Sequence, residues 1–348
     1  MAGGPVKTVD LFRTRNLVVR NATGFLSEAC FVTFEAYSEL ATLDRPGFGE
    51  HFLRNRRIDA LHFISRDNDW YQLAELPEAC GLAFQLAQRY RRVVAYGSSM
   101  GGYAAIRFGG WVGAHTAFAL SPQFSIDPKR VPFETRWTRE GRRVRFIHEE
   151  DARTVPMAVA VYDPLITADA RHVELLRKLT TVADVRLPCS GHPSTGYLAN
   201  LGLLSRSLMA LARGSFSAPK LQKVARQRRK ESAEFFVNLA LRSRGARRQA
   251  DFGEQAARRA PKNALIQAQF AVYAAAAGRR DEAVAAMAAA DALEPGRPLM
   301  RLQRSRVHEL LDEMDAAIAV MKSLCAAVPG DRDYRRRLWR LRAKRLLI

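Results

Sequence analysis

The sequence predicts an α/β fold, with a doubly wound and mostly parallel sheet, followed by an all-α helical repeat domain. Short apolar segments alternate with helical segments through about the first 200 residues, a pattern typical of parallel sheets. Beyond residue 231 the chain is rich in alanine and helical in character. Prolines recur there 34 residues apart, at Pro261, Pro295 and Pro329, which indicates a repeat of helix pairs.

The individual strands are predicted from short apolar runs suited to burial on both faces of a sheet. A helix is expected from about Leu76 to Tyr90, with Pro77 in its first turn. A second helix is expected to begin near Tyr103. In chain order, the predicted strands are Asn16–Arg20, Ala29–Phe34, Ile58–Ser65, Val93–Tyr96, Thr116–Leu120, Met157–Tyr162 and Thr181–Leu187.

A motif with chemical meaning lies between the strand Val93–Tyr96 and the helix that follows it. Gly97-Ser98-Ser99-Met100-Gly101 fits the pattern G-x-S-x-G, and the order of strand, tight turn and helix is the context which that nucleophile motif requires. With these flanks, residues 15–212 resemble the α/β-hydrolase superfamily of serine esterases and acyl-transfer enzymes. The resemblance implies that Ser99 is the nucleophile.

A serine hydroxyl needs an adjacent base, and the base needs an orienting acid. His192 lies in a loop after the last predicted strand and follows Ser99 in the chain order of these hydrolases. Two aspartates are candidates for the acid. Asp163 directly ends the strand Met157–Tyr162 and is preferred, because the resemblance places the acid at that edge of the sheet. Asp169 begins the next helix, where a helix N-cap is the usual role of an aspartate, and it is the alternative acid.

An oxyanion hole requires two preorganised amide donors. The amide of Met100, next to the nucleophile, is expected to be one of them. The resemblance places the second in the loop after the strand Ala29–Phe34, at Glu35 or Ala36. The His-Gly pair common in that loop of the family is replaced here by Glu35-Ala36.

The hydrolase-like domain is expected to span residues 1–212, with a small cap at about 122–154, a segment rich in proline and arginine. A basic linker or connecting helix is expected at 213–230 and the helical domain at 231–348. Asp281-Glu282-Ala283-Val284 returns as Asp315-Ala316-Ala317-Ile318, again at a distance of 34 residues. The helical domain therefore resembles a tetratricopeptide-like array, which implies a groove for a protein partner.

Charge is distributed unevenly. Residues 1–200 carry 25 Lys/Arg against 21 Asp/Glu, whereas residues 201–348 carry 30 against 14, so the net charges are +4 and +16. A basic surface attracts acidic partners, anionic lipid or nucleic acid through its long-range field, and a solvated arginine-rich helical face has the same composition. Nucleic acid is not favoured as the partner but stays an alternative.

No cofactor or metal is expected, since the sequence has no phosphate-binding glycine loop and no cluster of metal ligands. The four cysteines are far apart and form no CxxC pair, so no disulfide framework is indicated. The first residues lack the apolar segment of a signal peptide, and no apolar run reaches the ~18 residues of a membrane span. A cytoplasmic location is therefore expected.

These features predict a serine hydrolase that acts on esters, either an esterase or an acyl-transfer enzyme, fused to a helical repeat domain. The resemblance extends to enzymes that modify bacterial surface glycans, which implies an acylated glycan or a small ester as the substrate. The alternative is a helical-repeat adaptor whose hydrolase-like half is not catalytic.

Overall fold

A computed structural model describes residues 8–347. The chain forms two compact units, Met1–Arg228 and Arg229–Ile348. The opening segment, on which the expected cytoplasmic location depends, lies largely outside the described residues.

The first unit is built on one eight-stranded sheet in the order β1-β2-β4-β3-β5-β6-β7-β8. β1 pairs antiparallel with β2, and β2 with β4, whereas every other pair is parallel, which confirms the predicted fold class. One strand, β1, was not predicted. The strands are β1 (Val9–Arg13), β2 (Leu17–Ala22), β3 (Ala29–Phe34), β4 (Asp59–Ser65), β5 (Arg92–Ser98), β6 (Thr116–Leu120), β7 (Met157–Tyr162) and β8 (Thr181–Arg186).

From β3 onward a helix connects each strand to the next, as parallel pairing requires. The central strand β5 is almost fully buried, since its apolar side chains pack on both faces of the sheet. The strand runs directly into the helix that carries the nucleophile turn. The helices of this unit are α1 (Glu50–Asn55), α2 (Leu76–Ala87), α3 (Met100–Arg107), α4 (Thr138–Arg143), α5 (Thr167–Leu176), α6 (Thr195–Asn200), α7 (Leu203–Arg213) and α8 (Ala218–Gln227).

The segment at 122–154, predicted as a cap, contains only the short helix α4 and is fixed by one buried carboxylate. Glu149 accepts hydrogen bonds from Ser125 at 2.7 Å and from the Tyr103 hydroxyl of α3 at 3.3 Å. Its carboxylate also lies 3.4 Å from Arg107 and 3.0 Å from Arg130. The segment is therefore joined to α3 by a compact polar cluster.

Residues 213–230, predicted as a basic linker or connecting helix, are mostly helical. They contain α8, which begins at a Ser217 N-cap and packs against β8. The Tyr197 hydroxyl donates to the Ala225 carbonyl at 2.9 Å, so α8 is bonded to α6 as well. The first compact unit consequently extends to Arg228, beyond the predicted end at residue 212.

The second unit consists of helices whose starting points repeat. The residues Ala264, Pro298 and Arg332 begin α11, α13 and α15 at intervals of 34, and Arg280 and Met314 begin α12 and α14 at the same interval. The predicted prolines lie in the turns between pairs. A short 3-10 turn at Arg229–Glu231 precedes α9 (Ala233–Arg242), α10 (Ala246–Arg259), α11 (Ala264–Ala276), α12 (Arg280–Leu293), α13 (Pro298–Leu310), α14 (Met314–Ala327) and α15 (Arg332–Arg345).

Small side chains allow these helices to approach closely. Ala283, Ala290 and Ala317 are fully buried at contacts between neighbouring helices. Gly253 of α10 packs against Tyr273 of α11, where an added Cβ would lie 3.0 Å from the ring. Consecutive helices pack on one another from α9 through α15, as expected for a tetratricopeptide-like array.

Candidate active site

The sheet ends at a strained turn that presents a single serine. Ser99 lies between β5 and α3 with φ 51° and ψ −112°, a conformation that non-glycine residues rarely adopt. Its amide donates to the Leu120 carbonyl at 2.9 Å, and its carbonyl accepts from the Tyr103 amide at 2.9 Å. These bonds tie the turn to β6 and to α3, so the strain is held by both elements.

The glycines of the motif are required by close backbone contacts. A Cβ at Gly97 would lie 2.2 Å from the Gly101 carbonyl oxygen, and one at Gly101 would lie 2.2 Å from the Phe34 carbonyl oxygen. The absence of a side chain at Gly97 therefore leaves room for the turn itself, and its absence at Gly101 leaves room for the end of β3.

His192 contacts the serine hydroxyl. Its Nε2 lies 2.9 Å from Ser99 Oγ, and its Nδ1 lies 2.9 and 3.1 Å from the two carboxylate oxygens of Asp169. An ionised carboxylate can only accept hydrogen bonds, so Nδ1 carries the proton and Nε2 is left to accept a hydrogen bond from the serine hydroxyl. This hydrogen-bond chain has the arrangement needed to deprotonate a serine.

Asp169, not Asp163, contacts the histidine. Asp163 does follow β7, but its carboxylate accepts from the amides of Leu165 at 2.9 Å and Gly191 at 3.1 Å, so it binds the loop next to His192. Asp169 was expected to be an N-cap, yet it is the third residue of α5 and its fully buried carboxylate reaches the imidazole instead. The sequence preference for Asp163 therefore does not match the geometry.

The amides of Met100 and Ala36 stay the candidate oxyanion donors. The amide of Met100 is the first of α3 and has no acceptor in its own helix. The amide of Glu35 donates to the Phe63 carbonyl at 3.3 Å and is thus used by the sheet. The next amide along this loop, that of Ala36, is therefore the candidate for the second donor. The start of the loop packs against Gly101.

The Glu35 side chain is buried beside this loop. Burial raises its pKa to about 7, with a smaller contribution from Glu50, while Arg45 and Arg20 act in the opposite direction. The nearest recorded cation atom, Arg45 Nε, lies 3.9 Å from the Glu35 carboxylate. A carboxyl group in the loop that adjoins the serine therefore changes its ionisation near neutral pH.

Sequence reasoning missed two residues of the site, Glu134 and Arg136. Arg136 Nη1 lies 2.8 Å from Asp169 Oδ1 and its guanidinium also binds Glu134. The two residues lie in the 122–154 segment, where the sequence offers only an acid and a base two positions apart. His62 lies elsewhere, fully buried on β4 with Nδ1 2.6 Å from Thr33 Oγ1. Burial lowers the pKa of His62 to about 4.

Among residues 8–347, no three or more histidine, cysteine, aspartate or glutamate side chains are grouped so that they could hold a metal ion. None of the four cysteines, all within the described residues, forms a disulfide, and three of them are buried. Within the same residues, no helix has both the length and the apolar character needed to cross a membrane.

No protein-family model matches the chain, and no curated protein matches it significantly. Solved structures with a similar fold include the capsule O-acetyltransferase of Neisseria meningitidis serogroup A, at 13% identity and TM-score 0.41, with 58% of this chain and 93% of that chain covered. An esterase from Pyrococcus furiosus matches at 12% identity and TM-score 0.40, covering 61% of this chain and 91% of that one. A tetratricopeptide-repeat protein of Thermus thermophilus matches at 21% identity and TM-score 0.32, covering 52% and 91%.

Proposed function

We propose that this protein is a serine hydrolase, an esterase or acyl-transfer enzyme acting on carboxylic esters. The observation that carries the proposal is the hydrogen-bond chain from Ser99 through His192 to Asp169, built on a strained turn at the carboxyl end of the central strand. Each side chain is of the type that acyl transfer requires, and each is held by a separate element of the fold.

In the first half of the reaction, Ser99 Oγ forms a bond to the acyl carbon of the ester while its proton moves to His192 Nε2. The resulting tetrahedral oxyanion would be stabilised by the amides of Met100 and Ala36. His192 then gives the proton to the leaving alcohol as the carbon–oxygen bond breaks, which leaves an acyl group on Ser99.

In the second half, a water molecule or an acceptor hydroxyl attacks the acyl carbon, and His192 removes its proton. Collapse of the second tetrahedral intermediate returns the proton to Ser99 Oγ and releases the acid or the new ester. Asp169 keeps the Nδ1 proton of His192 in place and stabilises the imidazolium that forms in each half.

Replacing Ser99 by alanine tests the proposal. A fluorophosphonate probe is expected to label the wild-type protein and to leave the Ser99→Ala variant unlabelled, because only an activated serine attacks phosphorus at a useful rate. Ser98→Ala is the matched control, since Ser98 is the adjacent buried serine and its Oγ bonds Thr195 Oγ1 at 2.8 Å. Equal labelling of wild type and Ser99→Ala, or none of either, would favour the alternative of a non-catalytic adaptor.

A second proposal concerns the helical unit, which we infer binds an acidic peptide in a groove between α13 and α15. The groove has a volume of about 540 Å³ and is lined by five cations, Arg306, Arg336, Arg337, Arg340 and Lys344, against the carboxylates Glu309 and Asp333. Glu309 is shared by Arg337 at 2.8 Å and Lys344 at 3.2 Å. This excess of positive charge supports an acidic ligand.

Charge reversal tests the groove in the full-length protein. A fluorescein-labelled oligoglutamate peptide is expected to bind about tenfold more weakly to Arg306→Glu/Arg340→Glu, since each lost rim contact costs about 0.5–1 kcal/mol. The control is Arg332→Glu/Arg342→Glu, which changes the net charge equally on exposed positions of α15 outside the groove. An equal loss of peptide affinity in both double variants would indicate general attraction of polyanions rather than a peptide groove. The same conclusion would follow if the wild-type protein bound single-stranded DNA of the same charge as tightly as the peptide.

A further inference from the structure

The 122–154 segment places a fixed anion close to the serine site. Glu134 is buried, and its carboxylate accepts from Arg136 Nε at 3.0 Å and from Arg136 Nη2 at 2.6 Å. It also accepts from His172 Nε2 at 2.9 Å. Although burial alone would raise the pKa of Glu134, the bonds from His172 and Arg136 lower it to about 2. Glu134 is therefore ionised over the whole working range of pH.

His172 of α5 holds this anion as a neutral donor. Its Nδ1 accepts the Phe124 amide at 3.2 Å, so the ring proton is on Nε2, which faces Glu134. The histidine is fully buried, and the ring of Phe133 lies 5.0 Å from it between centroids. The position of Glu134 is thus set by α5 and by the start of the segment together.

Arg136 connects Glu134 to the acid of the serine site. Its Nη1 lies 2.8 Å from Asp169 Oδ1, while Asp169 Oδ2 lies 2.9 Å from His192 Nδ1. Burial opposes the charge of the guanidinium, but Glu134 and Asp169 raise the pKa of Arg136 above its usual value. Asp169 therefore lies between a permanent cation and the imidazole: both of its carboxylate oxygens are within 3.1 Å of His192 Nδ1, and Oδ1 also binds Arg136.

From this geometry we propose that Arg136 is a positioning residue for the reaction, acting on His192 through Asp169. It binds Oδ1 and so fixes the carboxylate in the orientation in which it contacts Nδ1, and its charge offsets part of the attraction that Asp169 exerts on a protonated imidazole. The segment at 122–154 thereby adjusts the strength of the base. The inference rests on the proposed function only for its kinetic consequences, because the electrostatic coupling exists whether or not the site turns over an ester.

The sign of the effect follows from the charges around the imidazole. Asp169 and Asp163 face the His192 loop from α5 and the end of β7, and Arg136 with Glu134 faces it from the 122–154 segment, where His172 is neutral. Without the Arg136 cation, less positive charge opposes the nearby carboxylates, so the protonated form of His192 is favoured over its neutral form. At an effective dielectric constant of about 20, a charge roughly 6 Å away shifts a titration by one to two pH units, and partial exposure reduces this to about one.

Three variants separate charge from packing. Arg136→Gln removes the cation, whereas Arg136→Lys keeps it but loses the two-pronged bond to Glu134. The matched control is Arg139→Gln, because Arg139 is an exposed arginine of α4 in the same segment. Circular dichroism and thermal unfolding would verify that all three variants are folded.

The titration of His192 is measured by NMR on the full-length protein, with its ring signal assigned by its loss in His192→Gln. We expect the midpoint to rise by about one pH unit in Arg136→Gln and to stay at the wild-type value in Arg136→Lys and Arg139→Gln. With p-nitrophenyl acetate, kcat should fall in both Arg136 variants with little change in KM, and the acid limb of the pH profile should move only in Arg136→Gln.

An unchanged midpoint in folded Arg136→Gln overturns the inference. Should that variant not fold, a displaced midpoint in Arg136→Lys would overturn it equally, because lysine retains the charge. Failure of the proposed function has a different signature: the wild-type protein is not labelled by fluorophosphonate, yet the NMR midpoint still moves in Arg136→Gln.

Discussion

The Asp169→Asn variant is expected to lose about four orders of magnitude in kcat for p-nitrophenyl acetate, while KM changes little. Asp169 accepts the Nδ1 proton of His192 at 2.9 Å. An asparagine amide at the same place allows the imidazole to turn to the other tautomer, in which Nε2 carries the proton and cannot accept one from Ser99. Turnover is measured alongside the rate of fluorophosphonate labelling, which should fall in parallel.

Asp163→Asn is the matched control, because both aspartates are fully buried and follow the same strand. Its bonds to the Leu165 and Gly191 amides support the loop before His192. One of these bonds is lost in asparagine, at a cost of about 1–3 kcal/mol in the free energy of unfolding. We expect the loss in kcat to be at least ~100-fold smaller than for Asp169→Asn. A larger loss in kcat for Asp163→Asn than for Asp169→Asn would assign the orienting role to Asp163.

Local sequence patterns were sufficient to predict the elements on which the site is built. The turn at Ser99 is encoded within five residues, because the conformation between β5 and α3 tolerates only glycine at Gly97 and Gly101. The 34-residue spacing of prolines likewise predicted the helix pairs, since each proline lies in a turn that no helix can continue through. Both signals are spacings visible along the chain, although the contact that excludes a side chain at Gly101 comes from Phe34 of β3.

The roles of the charged residues around His192 depend on contacts between distant parts of the chain. Asp163 and Asp169 are six residues apart and both bind the histidine loop, but Asp163 accepts from the Leu165 and Gly191 amides whereas Asp169 contacts the imidazole. Arg136 and Glu134 acquire their roles from contacts with α5, more than thirty residues later. No sequence pattern distinguishes them from other charged residues in the arginine-rich segment.

Residues 213–230 carry signals for both of the predicted alternatives, a basic linker and a connecting helix. Ser217 followed by Pro219 is a typical start of a helix, and Leu221 and Ala225 are four residues apart on one face. That spacing is typical of an amphipathic helix with one buried face, although the segment is basic. The element against which α8 packs, β8, depends on contacts between distant parts of the chain.

The attachment of the 122–154 segment leads to a large expected effect on stability. Glu149→Ala should lower the free energy of unfolding by about 3–5 kcal/mol, since it removes the carboxylate shared by Arg107, Arg130, Ser125 and Tyr103. Arg107 is only 3% exposed, so the variant leaves a buried cation without its counter-charge. The buried Tyr103 hydroxyl, whose pKa is raised well above its usual value by burial and by Glu149, loses its acceptor as well.

Glu150→Ala is the control, because Glu150 also contacts Arg130, at 3.2 Å, but has a side chain that is 94% exposed. An exposed pair of this kind contributes about 0–1 kcal/mol, so its removal should scarcely change the urea midpoint. Unfolding is followed by tryptophan fluorescence, which reports mainly on the first unit because Trp70, Trp111 and Trp137 all belong to it. Similar midpoints for the two variants would mean that the apolar contacts of the segment, rather than the Glu149 cluster, hold it against α3. A lower urea midpoint in Glu149→Ala alone would support the cluster. If kcat also fell at urea concentrations below the unfolding transition, the anchoring of the segment would be connected to the position of Arg136 at the serine site.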